Sequence, residues 1–249
     1  MQYPVNEAIT ESFSQKCDVR IIWGGDNTVE AIRAIKCLPH CKDVVFPDRY
    51  SIGLINGKSL SEASDEETRA LAEKFYNDTY LMDQNACSSP QMIFWQNADE
   101  EVKQKFWEAV ECYAVDHYVL PASLVTDKYV RLCSDILKGC VTQTGGFKGV
   151  ITVVTPENLP DNITSLRGKG GYFYQYDIGM VEEVAPYISE RFQALLYYGY
   201  QAEELTKKLS SACLRGITRI TPFGTAMDID IIWDGYDLVF ELSRTLDAQ

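Results

Sequence analysis

The sequence predicts an α/β fold of alternating strands and helices, and three observations carry that prediction. Apolar runs of strand length at residues 18–23, 43–46 and 50–55 are interleaved with segments of helical period. Hydrophobic residues make up 46% and charged residues 24% of the 249, the usage of a chain that buries a core. No internal repeat, low-complexity tract or long linker interrupts the alternation, which speaks against a bundle or a sandwich.

In chain order, Asp18-Val19-Arg20-Ile21-Ile22-Trp23 reads as a strand that Gly24 and Gly25 turn sharply. Asn27, with Glu30 three residues on, supplies a capping box for a helix over 28–36. Two short strands follow, separated by Pro47-Asp48-Arg49. Ser64 to Glu67 offers another capping box, and Leu71, Phe75 and Leu81 carry a helical period toward Ala86. Cys87-Ser88-Ser89-Pro90 ends that helix, and residues 91–95 form a strand. Asn97 with Glu100 caps the next helix, whose Val102, Phe106, Val110 and Ala114 make one apolar stripe. Residues 119–137 read as a helix broken at Pro121 and stopped by Gly139. Strands at 149–154 and 171–176, a helical stretch over 186–213 with a break near Gly199, and strands at 217–220 and 229–233 complete the chain.

With 23 basic against 36 acidic side chains the net charge is -13, which argues against nucleic acid or an anionic membrane as partner. A phosphate-bearing small ligand stays compatible, since it needs only local positive potential. No apolar run is long enough to span a membrane, and no basic start followed by an apolar stretch marks a secretory signal. The expectation is a cytoplasmic protein. The eight cysteines (17, 37, 41, 87, 112, 133, 140 and 213) are then thiols and not a disulfide scaffold. Cys37-Leu38-Pro39-His40-Cys41 has a metal-clip look, but it lacks a second ligand pair, so a plain turn and no metal are expected.

Several segments could carry chemistry. Cys87 lies among small polar residues at a helix-to-strand junction, where turn amides could stabilise an oxyanion. From spacing alone a small buried apolar side chain is the plainer reading and a nucleophile the sharper one. A helix C-terminus would raise its pKa, so activation would have to come from amides or a bound cation. Gly24-Gly25 follows a strand and precedes a helix, as a cofactor-approaching turn does, but it lacks the full G-x-G-x-x-G spacing and a plain tight turn is the better reading of the residues alone. Arg167-Gly168-Lys169-Gly170-Gly171 could cradle phosphate, although a hairpin loop is the plainer reading. Asp116-His117 favours a structural histidine over an acid–base pair, and Tyr197-Tyr198-Gly199-Tyr200 favours core over pocket.

Taken together, Ile22-Trp23-Gly24-Gly25-Asp26, Phe46-Pro47-Asp48-Arg49-Tyr50-Ser51, Asn85-Ala86-Cys87-Ser88-Ser89-Pro90-Gln91 and Trp233-Asp234-Gly235-Tyr236-Asp237-Leu238 resemble the bacterial acyl-CoA reductase family, which includes the fatty acid reductases of luminescence and belongs to the aldehyde dehydrogenase superfamily. The likeness runs in order from about residue 17 to the end. It implies an aldehyde dehydrogenase-like fold. Residues 1–57 would end a Rossmann-type cofactor domain, 58–220 would form the α/β catalytic domain, and 221–249 would return to the cofactor domain.

The resemblance also assigns roles. Cys87 takes the place of the covalent nucleophile, with Asn85 and the Cys87 amide as oxyanion donors. Trp23, Gly24 and Gly25 take the turn that approaches the nicotinamide. The segment Pro47-Asp48-Arg49 stands where hydrolytic aldehyde dehydrogenases carry a glutamate base, and no glutamate is there. The implied activity is NADPH-dependent reduction of a long-chain acyl-CoA or acyl-protein thioester to a fatty aldehyde. An acyl-transferase and an acyl-protein synthetase are the implied partners, and a homo-oligomer the implied assembly. Superfamily members are about twice as long, so the first half of such a protein, with the adenosine site, would precede residue 1. Two alternatives follow: a half-chain module that binds acyl groups or partners without redox chemistry, and an NAD-dependent aldehyde dehydrogenase, which the missing glutamate disfavours.

Overall fold

The structure is a computed structural model that describes residues 7–143, 149–210 and 215–247. The chain divides into two units, residues 1–48 with 229–249, and residues 49–228.

The smaller unit begins with α1 (Glu7–Ser14), β1 (Val19–Trp23), α2 (Asp26–Ala34) and β2 (Lys42–Phe46). The two strands pair in parallel, Val19 opposite Lys42 and Trp23 opposite Phe46. Buried Arg20 ties the three elements together. Its Nε and Nη2 donate to the two carboxylate oxygens of Asp43 at 2.6 and 2.8 Å, and its Nη1 donates to the carbonyls of Ile32 and Ile35. Gly25, in an extended conformation and without a side-chain cap, begins α2, and Asn27 lies inside the helix. The expected Asn27–Glu30 capping box therefore does not form, because the double-glycine turn starts the helix two residues early.

The larger unit opens with β3 (Tyr50–Asn56), α3 (Gly57–Ser61), α4 (Asp65–Thr79), β4 (Pro90–Gln96), α5 (Glu100–His117) and α6 (Ala122–Leu137). It continues through β5 (Val141–Gln143), β6 (Thr152–Thr155), β7 (Tyr172–Ile178), β8 (Phe192–Tyr198), α7 (Ala202–Ser210) and β9 (Arg219–Pro222). Seven strands form one sheet in the order β5-β6-β7-β4-β3-β8-β9. Every pairing is parallel except β5 with β6. Because both faces are covered, β3 and β4 are apolar almost throughout and buried at every position but the last. Alternate residues feed two cores. Ile55, Ile93, Trp95 and Phe173 pack with Phe75 of α4 and Phe106 and Trp107 of α5, while Ile52, Leu54, Phe94 and Tyr174 pack with Leu205 of α7.

Two expectations need correction here. Residues 192–198 form a strand and not part of a helix: Phe-Gln-Ala-Leu-Leu-Tyr-Tyr is a continuous run buried on both faces beside β3, a pattern that periodicity does not separate from a buried helix. The 186–191 part of that stretch is the end of a 3-10 helix and a turn, and among the described residues helix α7 covers Ala202–Ser210. Asp99, whose carboxylate accepts from the Val102 amide, caps α5, while Asn97 sits in the left-handed region at φ 55°.

The smaller unit closes with β10 (Ile232–Trp233), β11 (Tyr236–Asp237) and α8 (Leu238–Glu241). Asp234 and Gly235, at φ 49° and 84°, make the two-residue turn between the paired strands, so the expected five-residue strand is reduced to a short hairpin. Trp233 packs with Val44 and Phe46 of β2. Among the described residues, no helix is long and apolar enough to cross a membrane.

Candidate active site

Helix α4 ends at Thr79 under its capping box of Ser64 and Glu67, and one 3-10 turn (Tyr80–Met82) follows. The Gln84 amide then donates to the Thr79 carbonyl at 2.7 Å, and Asp83 and Gln84 adopt left-handed conformations at φ 51° and 61°. The expected helix toward Ala86 thus stops earlier, and Cys87 is a half-buried turn residue. Two adjacent non-glycine residues in the left-handed region each cost about 1 kcal/mol, so tertiary contacts must hold the turn.

Those contacts are present. Buried Ser51, at the start of β3, donates its hydroxyl to the Cys87 carbonyl at 2.7 Å and accepts from the Ala194 amide of β8 at 3.2 Å. Ser89 Oγ donates to the Asp78 carbonyl at 2.6 Å, and the Ser88 hydroxyl lies 3.5 Å from the Met227 sulfur. Gln84 and Gln91, both buried, form an amide clasp across the turn. Gln91 Nε2 donates to the Gln84 carbonyl at 2.8 Å, and Gln91 Oε1 accepts from the Gly168 amide at 2.9 Å. Gln84 meets the Tyr172 backbone from both sides, accepting from its amide at 3.2 Å and donating to its carbonyl at 3.0 Å.

Asn85 and Cys87 share this one turn. The Asn85 backbone amide is spent on the Met82 carbonyl at 2.8 Å, which leaves its exposed side chain for any role toward a ligand. The turn lies at the edge of the sheet where the parallel strands β3, β4 and β7 begin, rather than at their carboxyl ends, where open α/β sheets usually bind ligands.

Asp78 of α4 steadies a neighbouring loop. Its carboxylate, 2% exposed, accepts from the amides of Gly224 at 2.6 Å and Ala226 at 2.9 Å. Burial raises its pKa to about 6, nearby Asp228 adds to that, and the two amides and Arg219 oppose it. The same loop carries Met227 to Ser88.

Trp23, Gly24 and Gly25 belong to the smaller unit, and Cys87 belongs to the larger. The Gly24 amide donates to the Phe46 carbonyl at 3.2 Å, and a Cβ there would press on Thr28 at 3.0 Å. A Cβ on Gly25 would meet nothing within 4 Å. The Trp23 ring is 57% exposed and tilts against Phe46 with centroids 4.9 Å apart.

The remaining candidates resolve differently. Arg167-Gly168-Lys169-Gly170-Gly171 leads into β7, which is parallel to β6, so it ends a crossover and is not the expected hairpin loop. Its glycines serve the backbone: a Cβ on Gly168 would collide with the Tyr172 carbonyl, and Gly171 at φ 82° lies against the Val150 carbonyl. His117 stacks on Tyr113 at 4.1 Å, and its Nδ1 is 2.7 Å from the Tyr113 carbonyl, a local helix-end role. Tyr200 donates to Gln96 at 2.7 Å beside the core. Cys17 and Cys41 approach with sulfurs 3.8 Å apart, and burial with neighbouring thiols pushes Cys41 up to about 11. Among the described residues, no group of three or more His, Cys, Asp or Glu is arranged to hold a metal. Cys213 lies outside the described residues. Sequence reasoning missed Ser51, Asp78, Gln84 and Gln91. The two glutamines bracketing Cys87 were the available signal.

Comparison with known proteins adds three findings. The family model for acyl-CoA reductase (LuxC) matches residues 4–128, half of the chain. No curated protein matches the chain in sequence. Among solved structures, aldehyde dehydrogenase 21 from Physcomitrella patens, in complex with succinate, aligns with a TM-score of 0.62 at 12% identity, covering 90% of this chain and 48% of its own. Succinate-semialdehyde dehydrogenase from Burkholderia pseudomallei aligns at 0.62 with 14% identity, covering 93% and 50%. Betaine aldehyde dehydrogenase from Staphylococcus aureus, in complex with NAD+, aligns at 0.54 with 13% identity, covering 86% and 45%. The fold is aldehyde dehydrogenase-like, and the chain spans about half the length of these structures.

Proposed function

The chain belongs to the acyl-CoA reductase (LuxC) family, and from that membership we propose that it carries the nucleophile for reducing a long-chain acyl thioester, acyl-CoA or acyl-protein, to a fatty aldehyde. The observation that carries this reading is Cys87 on a turn fixed by Ser51, Gln84 and Gln91 at the edge of a buried parallel sheet. A thiol held there meets a substrate with little freedom left to lose.

In the proposed reaction the Cys87 thiolate attacks the thioester carbonyl. The bond from carbon to Cys87 forms, the bond to the leaving thiol breaks, and that thiolate takes up the proton Cys87 released. The exposed Asn85 side chain and the Cys87 amide are the donors proposed for the oxyanion.

The turn Trp23-Gly24-Gly25 fits the nicotinamide end of a dinucleotide, since it joins a strand end to a helix start and the space over Gly25 is clear of protein for 4 Å. A reduced nicotinamide cofactor, NADPH in this reading, supplies hydride when bound. Pro47-Asp48-Arg49 holds no glutamate to activate water, which favours reduction over the hydrolytic route of an NAD-dependent aldehyde dehydrogenase. An acyl-transferase and an acyl-protein synthetase are the proposed acyl suppliers, in the cytoplasm, with the enzyme acting as a homo-oligomer.

The test is single-turnover release of coenzyme A from a long-chain acyl-CoA with no reductant present. One equivalent per chain, lost in Cys87→Ala, is expected. Release unchanged in Cys87→Ala would refute the reading.

A further inference from the structure

We propose that the cleft between α6 and the 167–172 segment binds phosphate groups, and that its occupant is the phosphate-bearing end of the coenzyme A thioester. This rests on the acyl-thioester reading above. The cleft encloses about 460 Å³, enough for a diphosphate. Among the described residues its lining gathers four basic side chains (Lys128, Arg131, Arg167 and Lys169) and one carboxylate, Asp127. In a chain with a net charge of -13 that is a local reversal of sign, and an anionic ligand needs such a reversal to approach.

Hydrogen bonds to backbone carbonyls and a hydroxyl hold three of these cations in place. Lys128, 7% exposed, donates to the carbonyls of Gly149, Gly170 and Gly171 at 2.9, 3.1 and 3.3 Å. Arg167 donates to the Thr164 and Arg49 carbonyls and lies over the Tyr50 ring. Arg131 donates to the Tyr174 hydroxyl and the Ser165 carbonyl, and buried Asp135, 3.4 Å away, offsets part of its charge. Guanidinium groups held in this way are preorganised for phosphate. Lys169 is exposed at the rim, and Ser134 adds a hydroxyl.

The cleft communicates with the nucleophile through the same short loop. Gly168 donates to Gln91, and Gly170 donates to the Asp83 carbonyl at 3.1 Å, so the segment carrying Lys169 is bonded directly to the Cys87 turn. Coenzyme A separates its phosphates from its thioester by the long pantetheine arm, which suits a phosphate subsite beside the reacting cysteine and not on it. Burial lowers the Lys128 pKa to about 8, and a bound anion would raise it again, so ligand binding near pH 8 should take up protons.

Calorimetric titration of the 249-residue chain with coenzyme A, inorganic pyrophosphate and NADPH decides the matter. Coenzyme A and pyrophosphate should both bind, coenzyme A more tightly, and Lys169→Glu should weaken both at least tenfold while Lys169→Arg restores them. Equal affinity for the two would point to free phosphate as the occupant and overturn the coenzyme assignment. Lys169-sensitive binding of NADPH as tight as that of coenzyme A would give the cleft to the cofactor and overturn it as well. No binding, or binding indifferent to Lys169→Glu, would remove the site altogether. Acylation of Cys87 by acyl-pantetheine separates the two proposals. If it matches acyl-CoA, the cleft fails and the reaction stands. If neither acylates Cys87 while coenzyme A binding still depends on Lys169, the reaction fails and the cleft stands.

Discussion

The side-chain amide of Gln91 donates to the backbone carbonyl of Gln84 at 2.8 Å, so the turn that carries Cys87 is closed across its own two ends. Gln84 in turn meets both the amide and the carbonyl of Tyr172. Gln84→Ala would leave those buried groups without partners and should cost about 2 kcal/mol of stability. It should also slow acylation of Cys87 by about tenfold or more through loss of position. Site-resolved mass spectrometry of labelling rates, native against denatured, checks this. Equal slowing in the denatured chain would point to intrinsic thiol reactivity instead.

Asp78 should titrate near pH 6. Its pKa is raised from the ordinary 3.8, so the folded chain binds this proton more tightly than the unfolded one between those values. Its contribution to stability is therefore largest below about pH 4 and declines as pH rises toward 6. The amide resonances of Gly224 and Ala226, which donate to this carboxylate, should shift with that midpoint and lose the titration in Asp78→Asn.

Gln175 Oε1 accepts from the indole nitrogens of both Trp95 and Trp107, at 3.0 and 2.8 Å, in the middle of one core. Gln175→Leu strands two buried donors and should destabilise the larger unit by about 3 kcal/mol in denaturant unfolding, with no preferential effect on Cys87 labelling in the folded state.

A Cβ at Gly25 meets nothing within 4 Å and the backbone there is extended at φ -66°, so Gly25→Val should fold normally. In the reducing enzyme it should slow hydride transfer more than acylation of Cys87, because only a ligand would collide with the new side chain. Equal loss of both steps would make the turn purely structural.

How much of this was legible in the residues depends on which forces act locally. The capping box at Ser64 and Glu67, the turn at Gly24-Gly25 and the strands beside it were readable, since each is decided within a few residues. Residues 192–198 were not, because a strand buried on both faces has no polar alternation to mark it. The end of α4 was misplaced for a related reason: the left-handed Asp83 and Gln84 are held by Tyr172 and Tyr118, far away in sequence. Cys87 could be singled out from its neighbours, but the groups that hold it could not. Ser51 reaches it across 36 positions and Gly168 reaches Gln91 across 77. The basic cleft was half visible, its Arg167 and Lys169 in one motif and its Lys128 and Arg131 on a helix that only the fold brings alongside.

The central claim is that Cys87 is the acyl acceptor, and it is tested most directly by incubating the chain with a radiolabelled long-chain acyl-CoA and mapping the labelled peptide. The account expects one label per chain, on the peptide containing Asn85-Ala86-Cys87, released by hydroxylamine and missing from Cys87→Ala. Label that persists in Cys87→Ala, or that maps to another of the eight cysteines, would contradict it.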